Sequence, residues 1–162
     1  MESEEERVSQ VVSLIEEYGL DEVIWHRDRP VLSLEDAVGV HGVPPGNVLK
    51  CLLLKGRGDT VVAVMAPGDM RVNANRLEQL TGVKKLSFMP AGEMKYRLGL
   101  EPGSVDPLVL PEVADVVVAD ESLLGRGFVV GSAGSRFCGL RIKLEDLVRA
   151  VRGARVLDLF VG

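Results

Sequence analysis

The sequence predicts a single α/β domain of the α+β type, in which short helices pack on a mixed β-sheet. Its 162 residues are enough for one hydrophobic core. Aromatic residues make up only 4% of the chain, so the core must consist of aliphatic side chains, which suits a sheet covered by helices. The predicted strands neither alternate regularly with helices nor form hairpins alone, which indicates a mixed sheet.

The first predicted element is a helix over residues 3–19. Ser3 and Glu6 have the spacing of a capping box, and Gly19 is a natural C-terminal stop. Between them, apolar residues recur at the spacing of one helix face. These residues are Val8, Val11, Val12 and Ile15.

A short strand over residues 23–26 and a short helix over residues 33–40 come next, and Ser33 is the expected helix cap. The clearest β signal follows. Residues 48–54 and 60–66 are apolar runs separated by a polar, glycine-containing segment, which predicts a hairpin.

The middle of the chain predicts alternating short elements. Asn73 can cap a helix that ends at Gly82, a strand is expected over residues 84–88, and a short helix over residues 91–98. Residues 99–111 carry two glycines and three prolines, so regular structure is not expected there.

The last third of the chain predicts strands over residues 115–119, 128–130 and 140–144, then a helix over residues 145–152. A final strand is expected over residues 155–161. No internal repeat or linker is present, so the predicted domain spans residues 1–162.

Composition excludes several classes of function. The net charge is −5, whereas proteins that bind long duplexes have a basic surplus, so DNA is not an expected partner. Either nucleic acid is not the ligand, or only a small part of one enters a local basic pocket. No apolar run reaches the ~18 residues that span a bilayer, and the acidic start does not resemble a signal peptide. With two cysteines in unrelated contexts, the expected location is the cytoplasm, without a structural disulfide.

Two glycine-containing segments and one lysine are the candidate site residues. Residues 102–107 and 131–135 are either ordinary turns or places where backbone N–H groups bind an oxygen. Lys50 lies inside an apolar run, so it points to solvent or into a pocket with a compensating partner. A thiol enzyme based on Cys51 is a third hypothesis, although no nearby histidine pattern supports it.

Metal chemistry is not expected. His26 and His41 do not have the spacing of a ligand pair, and the two cysteines complete no zinc motif.

Five segments in order resemble the YbaK/prolyl-tRNA-synthetase-associated domain family, from Pro44 to about Val151. Residues 48–52 resemble the strand with the family's functional lysine, and residues 68–73 resemble its Gly-Asp-His-Glu-Leu-Asn stretch. The other three segments are Gly103-Ser104-Val105-Asp106-Pro107, the run from Ala119 to Leu123 with Phe128 to Gly131, and Ser132-Ala133-Gly134. The N-terminal helix lies outside these matches.

The resemblance implies a strongly curved sheet and an aminoacyl-tRNA deacylase that acts in trans without metal or cofactor. Its partners would be the acceptor end of aminoacyl-tRNA, typically tRNA for proline, and prolyl-tRNA synthetase. Such enzymes position a water molecule, and the ribose hydroxyl of the substrate can assist. By this resemblance Lys50 and Gly134 would be catalytic. The implied substrate-binding residues are Gly103, Ser104, Asp106, Pro107, Gly131, Ser132, Ala133 and Arg136.

Two positions depart from the family pattern. Synthetase editing domains carry a histidine after the glycine segment, where this chain has Ser135 and Arg136, and Arg141 lies near a position that is acidic in YbaK-like proteins. The amino acid removed is therefore open between cysteine, alanine, serine and similar small residues. A non-catalytic member that binds tRNA ends, amino acids or a synthetase is the alternative function.

Overall fold

The computed structural model describes residues 3–18 and 22–159, and six α-helices lie within these ranges. In chain order they are α1 (Glu4–Tyr18), α2 (Leu34–His41), α3 (Ala74–Thr81), α4 (Ala91–Glu93), α5 (Leu110–Val113) and α6 (Leu144–Ala150). A π-helical turn, Met94–Leu98, continues α4. Single 3-10 turns occupy Pro45–Asn47, Arg57–Asp59, Pro107–Val109 and Glu121–Gly125.

Eight strands in the same ranges form two sheets. They are β1 (Glu22–Trp25), β2 (Leu49–Lys55), β3 (Val61–Pro67), β4 (Ser87–Phe88), β5 (Val116–Asp120), β6 (Phe128–Ser135), β7 (Cys138–Lys143) and β8 (Arg155–Leu157). One sheet is antiparallel, in the order β1-β7-β6. The other has the order β4-β2-β3-β5-β8 and is mixed, because β5 runs parallel to β3 and β8 while β2 is antiparallel to β3 and β4.

The five-stranded sheet is buried on both faces by two different parts of the chain. Along β3, Val61, Ala63 and Met65 face the core shared with α1 and the three-stranded sheet. The intervening residues Val62 and Val64 face the core shared with α3. Because side chains alternate between faces of a strand, the continuous apolar run of β3 is what a strand covered on both sides requires.

The predicted helix caps are confirmed. Ser3 and Glu6 form a reciprocal capping box, with both hydrogen bonds at 3.1 Å. The Ser33 hydroxyl accepts from the amide of Asp36 at 3.1 Å, and the Asn73 side chain accepts from two amides in the first turn of α3. These caps depend only on residues close in sequence, which is why the local pattern predicts them.

The mixed α+β fold class is confirmed, and the hairpin of β2 and β3 lies where it was expected. The strands are, however, divided between two sheets. The predicted turn over residues 131–135 is wrong, because these residues continue β6 to Ser135, with a register shift between Ser132 and Ser135. The prediction that residues 99–111 lack regular structure is also wrong from Pro107 onward. A 3-10 turn begins at Pro107 and α5 follows it, because proline is favourable at the start of a helix.

Two predicted ends lie outside the described residues: the stop at Gly19 and the last part of the strand over residues 155–161. Among the residues described, no helix combines the length and apolar character needed to span a membrane.

The two sheets meet at one isolated bridge, where Val48 pairs with Val130 in parallel orientation. The Asn47 side chain strengthens this junction by donating to the carbonyl of Phe128 at 2.9 Å. The start of β2 is therefore held beside the middle of β6. This brings Lys50 close to residues 131–135, the glycine segment of β6.

We expect Asn73→Ala to lower the free energy of unfolding by about 1 kcal/mol, because two amides of α3 lose their acceptor. Asn73→Asp retains an acceptor and places a negative charge at a helix N-terminus, so its stability should stay close to that of the wild type. Urea denaturation followed by circular dichroism measures both, and equal stability of all three proteins would contradict the assigned cap.

Candidate active site

A cavity of about 260 Å³ lies where the two sheets meet. The starts of β2 and β7, the middle of β6, the loop around Gly103 and the segment that contains α2 form its walls. Its polar side chains among the described residues are His26, Ser33, His41, Lys50, Cys51, Ser132, Ser135, Arg136 and Cys138. The rest of the lining is backbone and aliphatic side chain.

Lys50 lies in β2, and its half-buried side chain lines the cavity. Its Nζ donates a hydrogen bond to the backbone carbonyl of Met70, in the loop that follows β3. Burial lowers the pKa of this ammonium group, the charge of Asp69 raises it, and Arg71 lowers it. An ammonium has three N–H groups, so Lys50 can bind a ligand oxygen while Met70 holds its position.

Gly103 and Arg136 lie side by side in the cavity wall. Gly103 has φ +84°, a conformation that favours glycine, and a Cβ there would lie 3.9 Å from Arg136 Nε. Arg136 is anchored from outside by Glu101, whose Oε2 lies 3.7 Å from its Nη2. Its buried Nε and the Ser104 Oγ are the buried side-chain atoms without a hydrogen-bond partner among the described residues.

The glycine segment of β6 has two different environments. Gly131 and Ser132 line the cavity, whereas Ala133 is fully buried in the core. Gly134 has φ +105°, and a Cβ on it would lie 2.6 Å from Arg7 Cγ, so its open side is covered by α1. The Gly134 amide donates to the Ser132 hydroxyl at 3.0 Å. This amide is therefore already paired.

A buried ion pair joins α1 to the Gly103–Pro107 loop. Arg7 donates from Nε to Asp106 Oδ1 and from Nη2 to Oδ2, both at 2.8 Å. The Asp106 carboxylate is fully buried and also accepts from the amide of Val109 at 3.0 Å. Three residues earlier, on the same face of α1, Glu4 Oε2 accepts from the Ser135 hydroxyl at 2.8 Å. One helix thus holds both β6 and the loop.

Five of the ten predicted site residues line the cavity together: Lys50, Gly103, Gly131, Ser132 and Arg136. The other five surround it without lining it. Gly134 faces Arg7, and Asp106 is bound to Arg7. Ala133, Pro107 and Ser104 are buried. The chemical role of each of the ten stays a prediction.

Sequence spacing gave no sign of the two histidines that line the cavity. His26 follows β1 and His41 ends α2, yet their rings pack edge to face with centroids 5.3 Å apart. They meet because β1 pairs with β7 and α2 folds over the same wall. No group of three or more metal-ligating side chains occurs in the described part of the chain.

Both cysteines line the cavity, but neither has the character of a nucleophile. Burial raises the pKa of the Cys51 thiol well above its usual range, and the charge of Asp106 raises it further. Burial raises the pKa of Cys138 to about 11, although Arg27 opposes the shift. Because the thiolate is the reactive form, these environments disfavour thiol catalysis at neutral pH.

The electrostatics of the cavity are opposite to those of the whole chain. Lys50 and Arg136 are cationic, and no carboxylate is present among the described lining residues, while the chain has a net charge of −5. Ligand pockets usually have volumes of roughly 300–1,000 Å³. A cavity of about 260 Å³ therefore suits one small acyl group with an oxygen-rich end.

The family model described as "Aminoacyl-tRNA editing domain" matches residues 28–150 of the chain. The chain belongs to this family. The matched residues include every wall of the cavity except the turn at His26, whereas α1 lies outside them. The editing-domain resemblance that the sequence indicated is thereby confirmed.

The chain is also similar to three individual proteins. It is 26% identical over 146 residues to the prolyl-tRNA editing protein ProX of Acetoanaerobium sticklandii, covering 88% of each chain. It is 28% identical over 104 residues to the proline–tRNA ligase of Thermoanaerobacter sp. (strain X514), of which it covers only 18%. The crystal structure of hypothetical protein APE2540 superposes with a TM-score of 0.83 at 30% identity, covering 93% of this chain and 98% of that one.

We expect Arg7→Leu to lower the free energy of unfolding by about 3–5 kcal/mol, because it leaves the Asp106 carboxylate buried without its partner. The double variant Arg7→Leu/Asp106→Asn keeps an acceptor for the Val109 amide and removes the buried charge. It should recover a large part of the loss. Chemical denaturation of the three proteins tests this, and a double variant no more stable than Arg7→Leu would contradict the ion-pair account.

Proposed function

We propose that this editing domain is a trans-acting aminoacyl-tRNA deacylase, which hydrolyses the ester of a mischarged small amino acid on tRNA. One observation carries the proposal: in a member of the editing-domain family, Lys50, Gly103, Gly131 and Arg136 line a single small cavity. The cavity accommodates an acyl group, and its cations suit the ester and phosphate oxygens of an acceptor end.

A physical need for such an activity exists. One methylene of difference in an apolar synthetase pocket discriminates by only about 1–3 kcal/mol, so wrong amino acids that are small reach the tRNA. A second site that admits only small acyl groups removes them. A cavity of about 260 Å³ has the size for that selection.

The proposed reaction needs no covalent intermediate. A water oxygen bonds to the ester carbonyl carbon, the bond from this carbon to the ribose oxygen breaks, and the proton lost by water passes to the ribose oxygen. Lys50 stabilises the negative charge that develops on the carbonyl oxygen. Gly103 and Gly131, which lack side chains, let the ester approach the backbone closely.

The proposed tRNA is the one for proline, and the proposed amino acids are cysteine, alanine or serine. The support is the similarity to ProX, a prolyl-tRNA editing protein, and to proline–tRNA ligases. Prolyl-tRNA synthetase is the corresponding partner, since an editing domain that acts in trans must meet the mischarged tRNA that the synthetase produces. Because the net charge is −5, only the acceptor end would enter, attracted locally by Lys50 and Arg136.

The observation that favours a non-catalytic function is the absence of a carboxylate from the described lining. No Asp or Glu side chain is therefore present there to act as a general base. The same cavity would then bind a tRNA end or an amino acid for regulation. Tight binding of aminoacyl-tRNA without turnover would favour this function, and turnover would exclude it.

We expect the wild type to deacylate at least one of Ala-, Cys-, Ser- and Thr-tRNA(Pro). Lys50→Ala should slow this hydrolysis roughly tenfold to a hundredfold, the effect of losing one charged hydrogen bond. Release of radiolabelled amino acid measures the rate. Lys84→Ala removes the same charge from an exposed position away from the cavity and is the matched control.

Two results would count against the proposal. If every ester in the panel stays intact on several tRNAs, the deacylase function is wrong. If Lys50→Ala and Lys84→Ala have the same small effect on hydrolysis, Lys50 has no part in it.

A further inference from the structure

The two histidines of the cavity are polar lining groups that have no role in the proposed deacylation. His26 and His41 are the chain's only histidines, and both line the cavity on the wall formed by β7. Their rings are nearly perpendicular, at 82°, with centroids 5.3 Å apart. This packing fixes each ring relative to the other.

The orientation of His26 is set by the backbone. Its Nδ1 lies 2.7 Å from the carbonyl oxygen of Arg29. A carbonyl oxygen only accepts, so the proton of a neutral His26 ring is on Nδ1 and the Nε2 lone pair is the acceptor. No residue within the described ranges is hydrogen-bonded to this Nε2.

His41 occupies a space that depends on a glycine. A Cβ on Gly139 would lie 2.5 Å from His41 Cε1 and 2.8 Å from Nε2, so β7 admits the ring only because position 139 has no side chain. Burial lowers the pKa of His41, and a proton on His26 would lower it further. This burial favours the neutral ring, and neither nitrogen has a hydrogen-bond partner among residues 3–18 and 22–159.

An aminoacyl ester brings an α-ammonium group into the cavity, and a buried ammonium requires an acceptor. Lys50 and Arg136 repel it, and no carboxylate is present among the described lining residues.

The three serine hydroxyls of the lining already have partners. Ser33 accepts from Asp36, Ser132 accepts from Gly134, and Ser135 donates to Glu4. Among the described lining residues, His26 Nε2 and the His41 ring are then the side-chain nitrogen or oxygen acceptors that have no hydrogen-bond partner.

We propose that His26 and His41 form the subsite that receives the α-ammonium group of the aminoacyl ester. The inference rests on the proposed function and narrows its substrate class to esters with a free α-amine. Esters whose amine is acylated or absent lose this contact. The site would thus reject N-blocked aminoacyl-tRNA even when the side chain is small enough to fit.

The test compares two non-hydrolysable probes that differ only in the amine. One is 3′-alanylamino-3′-deoxyadenosine, and the other carries a propionyl group in place of alanyl. The wild type should bind the alanyl probe about tenfold to a hundredfold more tightly at pH 7.5, measured by isothermal titration calorimetry. In His26→Leu/His41→Leu this preference should fall to less than threefold.

Two internal controls separate loss of the acceptor from damage to the cavity. In the double leucine variant, affinity for the alanyl probe should fall by more than affinity for the propionyl probe, because only the alanyl probe contacts the histidines through an amine. His41→Gln retains an acceptor at this position and should keep most of the preference for the alanyl probe. Thermal unfolding of each variant checks that it folds.

An unchanged preference in the double leucine variant would overturn the subsite, and so would a wild type that binds both probes equally. If His26→Leu/His41→Leu does not fold, the same comparison is made with each single leucine variant, and an unchanged preference in both overturns the subsite. Failure of the wild type to bind either probe, together with intact esters in the deacylation panel, would contradict the proposed function itself. Deacylation with an unchanged probe preference leaves that function standing and removes only the role of the histidines.

Discussion

The ion pair between Arg7 and Asp106 is the interaction on which the geometry of the cavity depends. It connects α1 to the loop that carries Gly103. The same helix contacts β6, where Glu4 binds Ser135 and Arg7 packs against Gly134. A buried carboxylate is tolerated only when charge and hydrogen bonds compensate it, and Asp106 has both. The positions of Gly103 and Ser132 are therefore coupled through a helix that is outside the family match and does not line the cavity.

Two walls of the cavity present different polar groups to the proposed substrate. Lys50 is held by Met70 at the wall next to β3, while the histidines lie on the wall formed by β7. An aminoacyl ester carries an electron-rich carbonyl and an ammonium on the same α-carbon, so in the proposed complex the ammonium wall and the imidazole wall would contact different groups and orient the ester. The acidic surface of the rest of the chain does not oppose binding, because screening confines its effect to about 8–10 Å at physiological salt.

Sequence patterns predicted what depends on neighbours along the chain. Ser3 with Glu6, Ser33, Asn73 and the β2–β3 hairpin all follow from short-range hydrogen bonds and period-two apolar patterns. They could not predict that residues 131–135 continue a strand, since the pairing partner in β7 and the covering residue Arg7 are set by tertiary contacts. Arg7 and Asp106 are 99 positions apart, and the histidines meet only through strand pairing, so no local motif marks either pair.

The central claim is that the acyl group of an acylated adenosine binds in the cavity between the two sheets. A crystal structure of the protein with 3′-alanylamino-3′-deoxyadenosine tests it most directly. We predict the amide carbonyl within about 3 Å of Lys50 Nζ, the alanyl group between Gly131 and Gly103, and the α-amine at the imidazoles. A probe bound elsewhere on the protein, with the cavity empty and Lys50 bonded only to Met70, would contradict the account.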